Sequence, residues 1–132
     1  MKEQLLKGVP LFARCTKREI SALAAEADEL RVGADTELTR EGATAREFII
    51  LAEGHAEVRQ NGRTVNTLQA GDFLGEIALL SGGPRTATIK TTEPSVVLVL
   101  TDRAFTRVAN EIPDVRRRLL EALSERLHSD AL

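Results

Sequence analysis

At 132 residues, 42% of them hydrophobic, the chain has material for one compact core spanning residues 1–132 and too little for two ordinary domains. Its 18 Lys and Arg against 20 Asp and Glu leave a formal charge of −2 with no basic cluster, which argues against direct nucleic-acid binding. The longest apolar run, Val96 to Leu100, falls far short of the ~20 residues of a membrane span; a lone Cys15 and a start without a secretory h-region predict a reducing, cytoplasmic setting.

Residues 1–30 read as helical. Leu5, Leu6, Val9, Leu11 and Phe12 suggest a short docked helix and turn. Thr16 and Glu19 then fit a capping box, with Ile20, Leu23, Ala24, Ala27 and Leu30 on one helix face. From 31 to 101 the pattern changes to short β-rich runs punctuated by Gly33, Gly42, Gly54, Gly62, Gly71, Gly75 and the pair Gly82-Gly83. That spacing predicts an antiparallel β-roll, a double-stranded, jelly-roll-like barrel.

Asn61-Gly62 suits a two-residue type I′ turn, because both residues tolerate positive φ. Counting outward pairs Gln60 with Arg63, Arg59 with Thr64, and Val58 with Val65, so the two valines would share a sheet face. Thr101-Asp102 then caps a helix carrying Phe105 and Val108. Pro113 opens a last helix whose stripe is Val115, Leu119, Leu120, Leu123 and Leu127. Residues 102–129 are therefore C-terminal helices, and the fold class is α+β.

The chemistry concentrates in residues 73–88, FLGEIALLSGGPRTAT. Gly75 lets backbone approach a ligand closely, and the first amides of a helix starting there, at Glu76, Ile77 and Ala78, lack intrahelical acceptors. Such amides attract anions. Arg85 adds a planar fork of donors suited to phosphate oxygens, and Glu76 a carboxylate that can accept from sugar hydroxyls.

This segment resembles the phosphate-binding cassette of the cyclic nucleotide-binding domain family, in which Phe and Gly-Glu, an aliphatic and Ala-Leu precede Pro-Arg, a small residue and Ala. The flanks Phe48-Ile49-Ile50 to Gly54, Gly71-Asp72-Phe73 and Val96 to Leu100 share the resemblance. It implies backbone contacts from Gly75, Ile77 and Ala78 and a hold on the ribose 2′-hydroxyl by Glu76. Arg85 would pair with the cyclic phosphate, helped by Thr86 and Ala87, and would serve the ligand and not the core. Val58 and Val65 would wall the purine. The last helix would act as a lid that moves on binding, with Arg126 as a lid arginine.

The implied ligand is cyclic AMP, with cyclic GMP as second candidate and no catalytic cofactor. The resemblance further implies an effector protein that the sequence does not identify, and it allows a homodimer through the last helix. Two isolated histidines, His55 and His128, cannot build a metal site, and neither a P-loop nor a nucleophile-base set occurs, so no enzyme is expected. The rival reading is an interaction domain that has lost its ligand, in which Glu76 and Arg85 simply pair. Cys15 reads as an inert small hydrophobe despite flanking Arg14, Lys17 and Arg18. Arg116, Arg117 and Arg118 read as a solvated helix face.

Overall fold

The computed structural model describes residues 2–44, 46–74 and 84–130 and, beyond Glu121, only the side chain of Ser124. Helix α1 (Lys2–Lys7), a 3₁₀ turn (Pro10–Phe12) and α2 (Lys17–Glu26) lead into β1 (Asp28–Val32) and β2 (Glu37–Thr39). Strands β3 (Glu47–Glu53), β4 (His55–Gln60), β5 (Arg63–Gln69) and β6 (Phe73–Leu74) follow. After residue 84 come β7 (Thr88–Thr91), β8 (Ser95–Thr101), α3 (Asp102–Glu111) and α4 (Pro113–Asp130).

The strands make two four-stranded antiparallel sheets, ordered β1-β8-β3-β6 and β2-β7-β4-β5. Among the described residues the roll is thus two facing sheets and not a closed barrel. Between them lie Ile49, Leu51, Ala56, Leu68, Leu74, Ile89, Val97 and Val99. The alternate residues of β3 and β8, namely Phe48, Ile50, Leu98 and Leu100, join the helices in a second core with Leu6, Phe12, Ile20, Leu23, Phe105 and Leu119. The first sheet is therefore covered on both faces, which is why its central strands read as unbroken apolar runs. Each large side chain so buried stabilises the fold by about 1.5–3 kcal/mol.

Helix α2 begins on the expected capping box: Thr16 accepts from the Glu19 amide at 3.1 Å, and the Glu19 carboxylate accepts from the Thr16 amide at 2.8 Å. The helix ends earlier than its apolar spacing predicts. Ala27 is extended, its carbonyl accepts from Lys2 Nζ at 3.0 Å, and Leu30 sits in β1, 48% exposed. The reason is β8, against which Asp28 to Val32 pair in unbroken register.

At the β4–β5 hairpin Asn61 (φ 53) and Gly62 (φ 78) adopt the expected positive φ. Gln60 faces Arg63 and Arg59 faces Thr64, but a bulge then puts Val58 opposite Asn66 instead of Val65. The cause lies farther along the pair. Ala56 and Leu68 face each other across the hairpin and are both buried between the sheets. Without one extra residue in β5, Thr67 would take the core position and Leu68 would face solvent.

Thr101 caps α3 by accepting from the Ala104 amide at 3.1 Å, and Phe105 packs on Phe48 with ring centroids 4.6 Å apart. On α4, Val115 and Leu119 are buried as expected, whereas Leu120 is 52% exposed. The side chains of Leu123, Leu127 and His128 lie outside the described residues. Asp114 pairs with both Arg117 and Arg118; desolvation raises its carboxyl, but the hydrogen bonds and charges of those arginines outweigh this and hold it below its usual value. Arg116 and Arg117 are solvated, but Arg118 departs from the expected surface role. Its Nη1 donates to the Pro10 carbonyl at 2.8 Å and fastens α4 to the 3₁₀ turn. Among the described residues, no helix is long and apolar enough to cross a membrane.

Candidate functional site

Gly75, Glu76, Ile77 and Ala78 lie outside the described residues, and with them any Glu76–Arg85 contact. Both flanks of their segment are described. On the entry side, β6 pairs with β3, Leu74 facing Ile49 and Phe73 facing Ile50. On the exit side, residues 85–88 are strapped from two directions.

The first strap is the loop between β2 and β3. Arg85 donates its amide to the Ala43 carbonyl at 2.8 Å and accepts from the Gly42 amide at 2.9 Å. Thr39 Oγ1 donates to the Ala87 carbonyl at 3.0 Å, and Thr88 Oγ1 accepts from the Glu41 amide at 2.9 Å. Gly42 has φ 84, a backbone conformation that other residues adopt only with strain, so glycine there shapes the strap. The second strap is the end of β4, where Gln60 Nε2 donates to the Thr86 carbonyl at 3.0 Å. Residues 85–88 are thus held from both directions by backbone and side-chain bonds.

The side chain of Arg85 is buried, 8% exposed, and its Nη2 donates to the Glu47 carbonyl. This corrects the expectation that the arginine serves a ligand alone. A guanidinium taken out of water is costly unless it is hydrogen-bonded or paired, and here β3 supplies part of its support. The residue belongs to the fold's framework as well as to the segment. Its neighbours differ: Thr86 is exposed, and Ala87 is buried.

The hairpin valines separate. Val58 is half-buried and packs against the core between the sheets, while Val65 is 53% exposed beside the bulge. The pairing that was to set them side by side is therefore absent. Arg126 falls on α4, with its side chain outside the described residues.

Sequence reasoning missed Glu47, Ala43, Gln60 and Thr39, because a carbonyl or a strand-end side chain gives no motif. Gly42 alone was a usable signal. Cys15 is half-buried against the helical core, and its thiol is pushed up to about 11. Burial is the main cause; Glu19 and Asp114 add to it and outweigh Arg118. Thiolate is scarce there at neutral pH, in keeping with an inert cysteine. His55 is an exposed β4 residue paired with Glu93.

Comparison with known proteins supplies the family. The family model described as "Cyclic nucleotide-binding domain" matches residues 29–111. The cAMP-dependent protein kinase regulatory subunit of Mycosarcoma maydis is 32% identical over 125 residues, covering 88% of this chain and 24% of that protein. The Pycsar effector protein PaPycTIR of Pseudomonas aeruginosa is 36% identical over 98 residues, covering 74% of this chain and 32% of that protein. A solved structure described as cAMP-bound PfPKA-R superposes with a TM-score of 0.84 at 28% identity, covering 98% of this chain and 46% of that one. The chain spans only about a quarter to a third of these curated relatives. Since the family match covers well over half its length and includes both straps and Arg85, the chain belongs to the cyclic nucleotide-binding domain family.

Proposed function

We propose that the chain is a regulatory sensor module, binding cyclic AMP, with cyclic GMP as the second candidate, on the segment from Gly75 to Ala87. The observation that carries this reading is Arg85, at the exit of a segment with the cassette pattern: its buried guanidinium is bonded from β3, and its backbone is held by the β2–β3 loop. A cyclic phosphate is a compact anion, and a pre-positioned planar fork meets it with little ordering cost. Glu76 takes the ribose 2′-hydroxyl, while Gly75, Ile77, Ala78, Thr86 and Ala87 line the phosphate and sugar. Val58 contributes the apolar wall, and the exposed Val65 joins it only with the nucleotide bound.

The kinase regulatory subunit, the Pycsar effector and the cAMP-bound structure named above support the ligand class and a regulatory output. Ligand binds better when the cassette and α4 close together, so binding shifts the population of α4 positions, with Arg126 on the moving helix. That movement acts on an effector protein, and the module itself performs no catalysis.

Calorimetric titration with cyclic AMP, cyclic GMP and 2′-deoxy cyclic AMP tests the ligand. The deoxy analogue is expected to bind more weakly by about 1–3 kcal/mol, because it strips the Glu76 carboxylate of a hydroxyl partner. Equal affinities for cyclic AMP and its deoxy form would remove Glu76 from the ribose. The Glu47 bond gives one observation to the rival reading, an interaction domain with a structural arginine. No binding heat from either nucleotide would establish that rival. The lid is tested separately: deleting residues 122–132 should leave the sheets folded and speed nucleotide release, and unchanged release would show that α4 does not close on the ligand.

A further inference from the structure

Among the described residues, four strands end the two sheets: β1 and β6 in one, β2 and β5 in the other. Exposed edges carry unpaired backbone groups, and proteins blunt them with bulges or by keeping the strand short. Three of the four are blunted in these ways. Strand β6 has two residues, β2 shifts register between Glu37 and Thr39, and β5 carries the bulge opposite Val58 and Arg59. Only β1 runs straight, with five consecutive pairs from Asp28↔Val99 to Val32↔Ser95.

The sequence of this edge is self-complementary. Antiparallel pairing of Asp28–Val32 with itself about Leu30 sets Glu29 opposite Arg31 of the other copy, and does so twice. Asp28 then faces Val32, so no like charges meet. Residues directly opposite in an antiparallel pair share a face, so both ion pairs lie on the side carrying Glu29 and Arg31, while the two leucines meet on the other side. Leu30 is among the few large apolar side chains left exposed, at 48%.

From this charge pattern we infer that β1 pairs with β1 of a second copy of this chain, antiparallel about Leu30, joining two four-stranded sheets into one. A five-residue edge buries less than the roughly 1,200 Å² typical of stable complexes, so the dimer is weak. The inference does not depend on the nucleotide site.

Sedimentation equilibrium between about 10 μM and 1 mM, a range set by that small interface, tests it by charge exchange. Glu29→Arg and Arg31→Glu each place like charges opposite one another twice, and each should weaken self-association about tenfold or more. Mixing the two single variants in equal amounts restores opposite charges at both positions and should give a heterodimer. The double variant Glu29→Arg with Arg31→Glu should dimerise like the parent. Leu120→Glu, on the exposed side of α4, should leave association unchanged. The proposal is overturned if the parent stays monomeric throughout, if the mixture does not associate, or if Leu120→Glu dissolves the dimer while the charge variants keep it.

Discussion

Replacing Arg85 with alanine is expected to lower the affinity for cyclic AMP by two decades or more. Charge-assisted hydrogen bonds contribute about 1.5–3 kcal/mol each, and two parallel ones from a guanidinium to the cyclic phosphate are lost together. Each 1.4 kcal/mol is about tenfold in affinity. Helix-start amides supply only partial positive charge and cannot replace a full one. Arg85→Lys should recover part of the loss, since an ammonium keeps the charge without the fork.

The structure adds a second effect. Arg85→Ala also removes the guanidinium's bond to the Glu47 carbonyl at a part-buried site, at a cost of about 1 kcal/mol to the ligand-free fold. The melting temperature of the apo variant should therefore fall by several degrees, while its amide bonds to the strap persist. The decisive reading is the shift on adding nucleotide, because a ligand stabilises only what it binds. Parent protein should gain melting temperature with excess cyclic AMP and the variant should hardly gain any. A variant that keeps the full shift would show that the phosphate is captured elsewhere.

Among the described glycines, Gly54→Ala is expected to be the most damaging replacement by alanine. Gly54 lies between β3 and β4 with φ 104, and a Cβ built there would meet Ser95 Oγ at 2.1 Å, Ser95 Cβ at 2.7 Å and Ser95 Cα at 3.0 Å. Ser95 cannot step aside easily: it is buried, donates to the Glu93 carbonyl at 2.8 Å, and pairs with Val32. Backbone strain of about 1–3 kcal/mol and overpacking of a similar size add to roughly 2–6 kcal/mol. Chemical denaturation should show this as a lower midpoint at unchanged slope. Adding Ser95→Gly should restore the overpacking share and leave the strain. A Gly54→Ala midpoint equal to the parent's would mean that the two chains do not approach so closely.

What the sequence made legible was local. The capping box at Thr16 and Glu19, the turn at Asn61-Gly62 and the Thr101 cap each depend on neighbours within a few residues, so the pattern specifies them. What escaped was decided across the fold. Leu30 continues a helical spacing, yet β8 claims it for a strand. Val65 sits where the hairpin count puts it until Leu68 must reach the core, and the bulge follows. Arg85 announced its charge but not its bonds, which reach Glu47 and the β2–β3 loop about forty positions earlier. In the site, residue types could be read from the motif, whereas the straps that aim them could not.

One bond joins the two ends of this chain. Arg118 donates to the carbonyl of Pro10 across 108 positions and ties the last helix to the 3₁₀ turn. If nucleotide shifts α4, the free energy of that shift is shared with the N-terminal helices, and linkage runs in both directions. A protein that clamps α1 or the 3₁₀ turn in one position would then change the affinity for cyclic nucleotide by the same factor by which the nucleotide changes the clamp's own. If α4 moves with the nucleotide, the Arg118–Pro10 contact makes residues 2–12 a second handle on the ligand, reached without touching the phosphate.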